Sequence, residues 1–88
     1  MKLSVGIITF NEERIIAKTI DAVKNIAGEI VIIDSNSTDK TVEIAKSKGA
    51  KVITQSWLGY GKQKNIMIDN CLGEWVLSID ADEIISEE

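Results

Sequence analysis

Residues 29–47 read EIVIIDSNSTDKTVEIAKS. The apolar run Glu29 to Asp34 ends abruptly in the polar stretch SNSTD, whose hydroxyls, with Asp39, can cap a helix continuing to about Ser47. Gly49 then supplies a C-terminal stop. A strand followed directly by a capped helix is half of a parallel βαβ unit, and the flanking sequence repeats it. Upstream, residues 3–9 form an apolar strand, and residues 12–25 change period, with Ile16, Ile20 and Val23 on one helical face. Asn11 is the expected N-cap of that helix, with Glu12 and Glu13 in its first turn at the positive end of the helix dipole. Downstream come a short strand from Lys51 to Gln55, the loop SWLGYG, a helix from about Lys62 to Leu72 ended by Gly73, and a fourth strand from Glu74 to Asp80.

The order is βαβαβαβ, which predicts an α/β, Rossmann-like parallel sheet with helices on both faces. Sixteen Ile and six Val against four aromatic residues agree with strands buried on both sides. At 88 residues the chain is one small domain, 1–88, without Pro, linker or low-complexity tract.

The net charge is -4, from 10 basic and 14 acidic residues, and five of the acids stand in the last nine residues, DADEIISEE. A near-neutral body with one acidic end has no basic footprint for nucleic acid and no Lys-rich helix for an anionic membrane. One Cys cannot form an internal disulfide, and zero His leaves zinc without a plausible ligand set. No segment reaches transmembrane length, and the run LSVGIITF lacks a cleavage site, so a cytoplasmic location is expected.

Parallel strands share one C-terminal edge, where open α/β sheets bind ligands. Thr9-Phe10-Asn11-Glu12, Asp34-Ser35-Asn36 and Asp80-Ala81-Asp82 all fall there, although tens of residues separate them in sequence. Three carboxylates, Asp34, Asp80 and Asp82, beside helix N-termini and without imidazole, suit a hard divalent cation shared with a phosphate: Mg2+ or Mn2+. Each also has a plainer reading. Asp-Ala-Asp can be a solvated turn, Asp34 can bond the next turn, and Thr9 and Asn11 can cap the first helix. The loop GYGKQK lacks the third glycine of a dinucleotide fingerprint and the Walker ending. Lys62 and Lys64 at a helix start oppose the dipole and hint at an anionic partner, or form a solvated face. Trp57 and Tyr60 fit loop packing and a binding surface equally.

The ordered motifs VGIITFNEE, EIVIIDSNSTDKT, GKQKN and WVLSIDADE together resemble family 2 glycosyltransferases of the GT-A fold. GYGKQKN followed by GEWVLSIDADE resembles, more narrowly, the lipopolysaccharide core-biosynthesis subgroup. The resemblance covers essentially the whole chain but only the N-terminal, nucleotide-sugar-binding part of a family member, so truncation is implied. It also implies that Thr9 and Glu12 line the nucleotide pocket, Asp34 reads the base or ribose, Asp80 contacts the ribose or the metal through water, and Asp82 holds the metal. Lys64 stands where the family usually has an Arg near the diphosphate, keeping the charge but losing the bidentate fork. The implied function is metal-dependent binding of a nucleotide-diphosphate sugar within an inverting glycosyltransferase of cell-surface polysaccharide synthesis. A glycan or lipid-linked acceptor, and peripheral attachment of the full-length protein to the inner membrane, are implied with it. The family's catalytic base comes later in its chain, so no catalytic residue is assigned here.

Two other readings stand beside this one. The chain can be a stand-alone nucleotide- or metal-binding module without catalysis. A phosphohydrolase with Asp80 as nucleophile fits less well, because Glu83-Ile84 follows Asp82 where D-x-D-x-[TV] is needed. Truncation further predicts an open sheet edge, covered by a second copy in a two-fold homodimer.

Overall fold

The computed structural model describes residues 3–80. Four strands, β1 (Leu3–Thr9), β2 (Glu29–Asp34), β3 (Lys51–Thr54) and β4 (Trp75–Asp80), alternate with helices α1 (Ile16–Val23), α2 (Thr41–Ser47) and α3 (Tyr60–Asp69). Every pairing is parallel and the sheet order is β3-β2-β1-β4, so β1 and β2 are central. The expected βαβαβαβ architecture is therefore the observed one.

Strand alternation divides the core. On one face Val5 and Ile7 of β1, Ile32 of β2 and Ile79 of β4 pack against Ile16, Ile20 and Val23 of α1 and Ala45 of α2. On the other, Val31 and Ile33 of β2 meet Met67 of α3. Helix α3 can lie this close to β1 because Gly6 has no side chain. A Cβ there would stand 2.2 Å from Met67 Sδ, an impossible separation.

Two helices differ from the expected bounds. Helix α1 begins at Ile16, not residue 12, and neither Asn11 nor any other side chain caps it. The backbone N–H groups of Asn11, Glu12 and Glu13, which would have opened that helix, are instead taken by side chains of residues 37–41. Glu12 and Glu13 consequently lie before the first turn. Helix α3 starts at Tyr60 and ends at Asp69, so Gly73 does not terminate it. The N–H groups of Leu72 and Gly73 turn away to Glu29 Oε2 and Ser4 Oγ, and Ser4 in turn donates to Glu29 over 2.6 Å. This latch closes the N-terminal end of the sheet. Burial pushes the Glu29 carboxyl up, but the hydrogen bonds from Leu72, Ser4 and Gly73 and the charge of Lys51 outweigh it and leave it below the usual carboxylate range. Burial, with the Glu29 charge beside it, pushes the neighbouring Cys71 thiol up. Gly49, at φ +87°, ends α2 as expected.

Candidate functional site

The register of the central strand assembles the site. Thr9 pairs with Asp34 on one side of β1, while Ile8 pairs with Asp80 on the other, so chain positions 9, 34 and 80 meet along one edge. Thr9 Oγ1–H donates to Asp34 Oδ1 over 2.6 Å. Ser37 Oγ–H donates to the same oxygen at 2.6 Å, and Ser37 N–H to Oδ2 at 2.7 Å. A fully buried carboxylate is costly unless hydrogen-bonded, and here three donors converge on one that is 0% exposed. Thr9 and Asp34 are thus brought together, and in this arrangement they hold the turn after β2.

That turn is laced to the loop after β1. Asn11 and Asn36 both adopt left-handed backbone, with φ 51° and 61°, a conformation that asparagine tolerates better than most residues. Asn11 N–H donates to Ser37 Oγ at 2.8 Å, and Thr38 N–H donates back to Asn11 Oδ1 at 2.8 Å. Glu12 N–H reaches Thr41 Oγ1 at 2.7 Å, and Glu13 N–H reaches Asp39 Oδ2 at 3.2 Å. Half-buried Glu12, expected at the nucleotide pocket, therefore sits beside the start of α2. Asp39 accepts the Thr41 N–H and hydroxyl at the start of α2, although the N-cap position itself falls to Lys40, whose side chain makes no capping bond. Burial raises its carboxyl, but the Thr41 and Glu13 donors prevail and hold it below the usual range.

A third segment closes the edge. Asn36 Nδ2–H donates to Ser56 Oγ at 3.1 Å, and Gln55 N–H to Asp34 O at 2.8 Å, tying the stretch after β3 to the end of β2. Trp57 and Tyr60, 56% and 48% exposed, meet edge to face with ring centroids 6.3 Å apart. Lys64 Nζ lies 5.0 Å from the Tyr60 ring centroid, a cation–π distance. Lys64 is the fifth residue of α3 and half-buried, and Lys62 is exposed. Asp80 closes β4 in register with Ile8, and Asp82 lies outside the described residues.

Sequence reasoning missed three residues of this edge: Ser37, Thr41 and Gln63. The first two stand in a Ser/Thr-rich turn where several hydroxyls offered themselves equally. Gln63 sits between two lysines with nothing local to mark it as buried, yet it is 0% exposed.

Among the described residues no three Asp, Glu, Cys or His side chains gather into a cation cage. A metal at this edge would be held by one or two carboxylates and completed by ligand oxygens. That is the habit of Mg2+ and Mn2+, and the all-oxygen, imidazole-free donor set of this edge fits it.

Three comparisons bear on what this edge belongs to. An uncharacterized glycosyltransferase of Rickettsia typhi is 54% identical over 87 residues, covering 99% of this chain and 30% of the relative. The lipopolysaccharide core biosynthesis glycosyltransferase LpsC of Rhizobium meliloti is 38% identical, covering 94% and 32%. Glucosyl-3-phosphoglycerate synthase of Mycobacterium tuberculosis, solved with UDP, superposes with a TM-score of 0.82 at 28% identity, over 94% of this chain and 34% of that one. The same enzyme has been solved with Mn2+ and UDP-glucose and with Mg2+ and UDP. This chain thus spans about a third of the length of each of these three proteins. The described α/β sheet matches the nucleotide-binding GT-A fold of the solved relative, and with a match to the family pattern running from residue 4 to 88, the chain belongs to glycosyl transferase family 2.

Proposed function

We propose that the chain is the nucleotide-sugar-binding part, residues 1–88, of an inverting, metal-dependent glycosyltransferase acting in lipopolysaccharide or other cell-surface polysaccharide synthesis. One observation carries this most: β1 stands between Thr9↔Asp34 and Ile8↔Asp80, bringing three residues from distant parts of the sequence to one sheet edge. The solved relative carries UDP with Mn2+ or Mg2+, and LpsC acts in lipopolysaccharide core biosynthesis, which supports the donor class and the pathway class respectively.

In this reading Thr9 and Asp34 contribute through the turn they hold, presenting that turn to the base and ribose. Glu12 lines the pocket beside α2, Lys64 faces the diphosphate as a single positive charge, and Asp80 serves the ribose or, through water, the cation. Asp82, with Asp80, would hold Mg2+ or Mn2+, which when bound offsets the negative charge that develops on the departing diphosphate. A glycan or lipid-linked acceptor, and the base that deprotonates it, are engaged only in the whole protein, which is cytoplasmic and peripheral to the inner membrane. Among the described residues no helix is long and apolar enough to cross a membrane.

Association of two copies is part of the same proposal. Leu72, Trp75 and Val76, on and before the outer strand β4, are exposed, and a second copy would cover them.

Calorimetric titration of UDP in the presence of Mn2+ tests the assignment. Asp82→Asn is expected to lose most metal-dependent binding, whereas Asp39→Asn, at the start of α2, keeps it and changes chiefly stability. Equal binding by the two variants contradicts this division of roles.

A further inference from the structure

Gln63 is the fully buried polar side chain of α3, and its amide is used at both ends. Nε2–H donates to Ser35 Oγ at 3.2 Å and to Gln55 O at 3.4 Å, while Oε1 accepts Leu58 N–H at 3.3 Å. The orientation of the amide follows from its neighbours: an N–H must face an oxygen and a carbonyl must face an N–H, so a flipped amide would lose both backbone bonds. The three partners come from different places, the turn after β2, the residue after β3 and the irregular stretch leading into α3. No backbone ladder joins that stretch to the β2 turn beyond Gln55 N–H.

We propose that Gln63 is a positioning residue for donor binding: it clamps segment 55–59 against Ser35, so that this segment and the β2 turn form one prearranged wall of the nucleotide site. The proposal rests on the nucleotide-sugar reading above. Without the clamp, the segment keeps only the Gln55 N–H bond to Asp34 O and the exposed Asn36–Ser56 bond, so Trp57 and the Tyr60 ring it meets are held less firmly against the Asp34–Ser37 turn. A ligand must then order the segment on binding and loses affinity accordingly.

The test uses UDP with Mn2+ as the probe, in calorimetry well below the unfolding midpoint. Gln63→Met keeps the length and burial but leaves Leu58 N–H and Gln55 O without their partner. It is expected to weaken UDP about tenfold, the scale of one lost buried hydrogen bond. Ile20→Val, a core loss on the opposite face, is expected to leave the affinity unchanged. Should Gln63→Met fail to fold, Gln63→Glu supplies the second arm. It keeps the acceptor for Leu58 and, while its buried carboxyl stays protonated, one donor as well, so its affinity relative to wild type should recover as pH is lowered from about 8 to 6. Binding by Gln63→Met within about twofold of wild type, or a pH-independent ratio for Gln63→Glu, overturns the positioning role. Wild-type protein that takes up no UDP with Mn2+ overturns the nucleotide reading itself, and this role with it.

Discussion

The two faces of the sheet are built by different rules. Under α1 and α2 the core is aliphatic: Val5, Ile7, Ile16, Ile20, Val23, Ile32, Ala45 and Ile79 interlock, and the buried Thr19 of α1 turns its hydroxyl back to Ile15 O at the start of its own helix. Under α3 the contact rests on Val31, Ile33 and Met67, admitted by Gly6, with Gln63 buried beside them. The first face stabilises the domain by burying area. The second does so by close fit and hydrogen bonding, and it carries the segment that completes the candidate site. Stability and site geometry are therefore separable here, and mutations on the two faces should behave differently.

The largest effect is expected on the aliphatic face. Ile20→Ala should cost about 2–5 kcal/mol in urea unfolding, the usual range for a truncated, fully buried aliphatic side chain. The molecules still folded should bind nucleotide normally. Gly6→Ala comes next, at about 1–3 kcal/mol, because the new methyl overlaps Met67 in a closed space. Met67→Ala alone removes a fully buried side chain and is itself destabilising, but it also removes the overlap, so the double variant should lose less stability than the sum of the two single losses. Strict additivity would show that α3 does not rest on Gly6 as described. The smallest effect concerns the apolar side chains left uncovered near α3 and β4. Ile68, Leu72 and Val76 are exposed, and sedimentation should show a dimer that strengthens with salt as repulsion between the acidic C-terminal residues is screened. A 9.7 kDa monomer at all concentrations and salt levels would contradict that association.

The same contrast explains what was legible from residues alone. The strands and their parallel order were plain, because runs such as EIVIID are buried on both faces and stop sharply at polar turns. The period of α1 was plain too: Ile16, Ile20 and Val23 are the apolar residues it buries, with Thr19 between them. Its start was not, because the backbone donors of residues 11–13 find partners 26 to 29 residues away, and no local propensity encodes that. Helix α3 was harder because its buried positions are a glutamine and a methionine four apart, a weak apolar signal that left both of its ends misplaced. At the site, the meeting of Thr9 with Asp34 followed from parallel strands. That Asp34 would turn inward to Ser37 did not, since any of four polar residues in SNSTD could have taken the bond.

The central claim is that this sheet edge binds a nucleoside diphosphate through a shared cation, and one calorimetric pair tests it most directly. UDP titrated into the protein with Mn2+ should give saturable binding, and the same titration with EDTA should give little, because uncompensated carboxylates at positions 80 and 82 repel the diphosphate. Equal affinity in the two titrations would contradict the metal bridge, and absence of binding in both would contradict the nucleotide site.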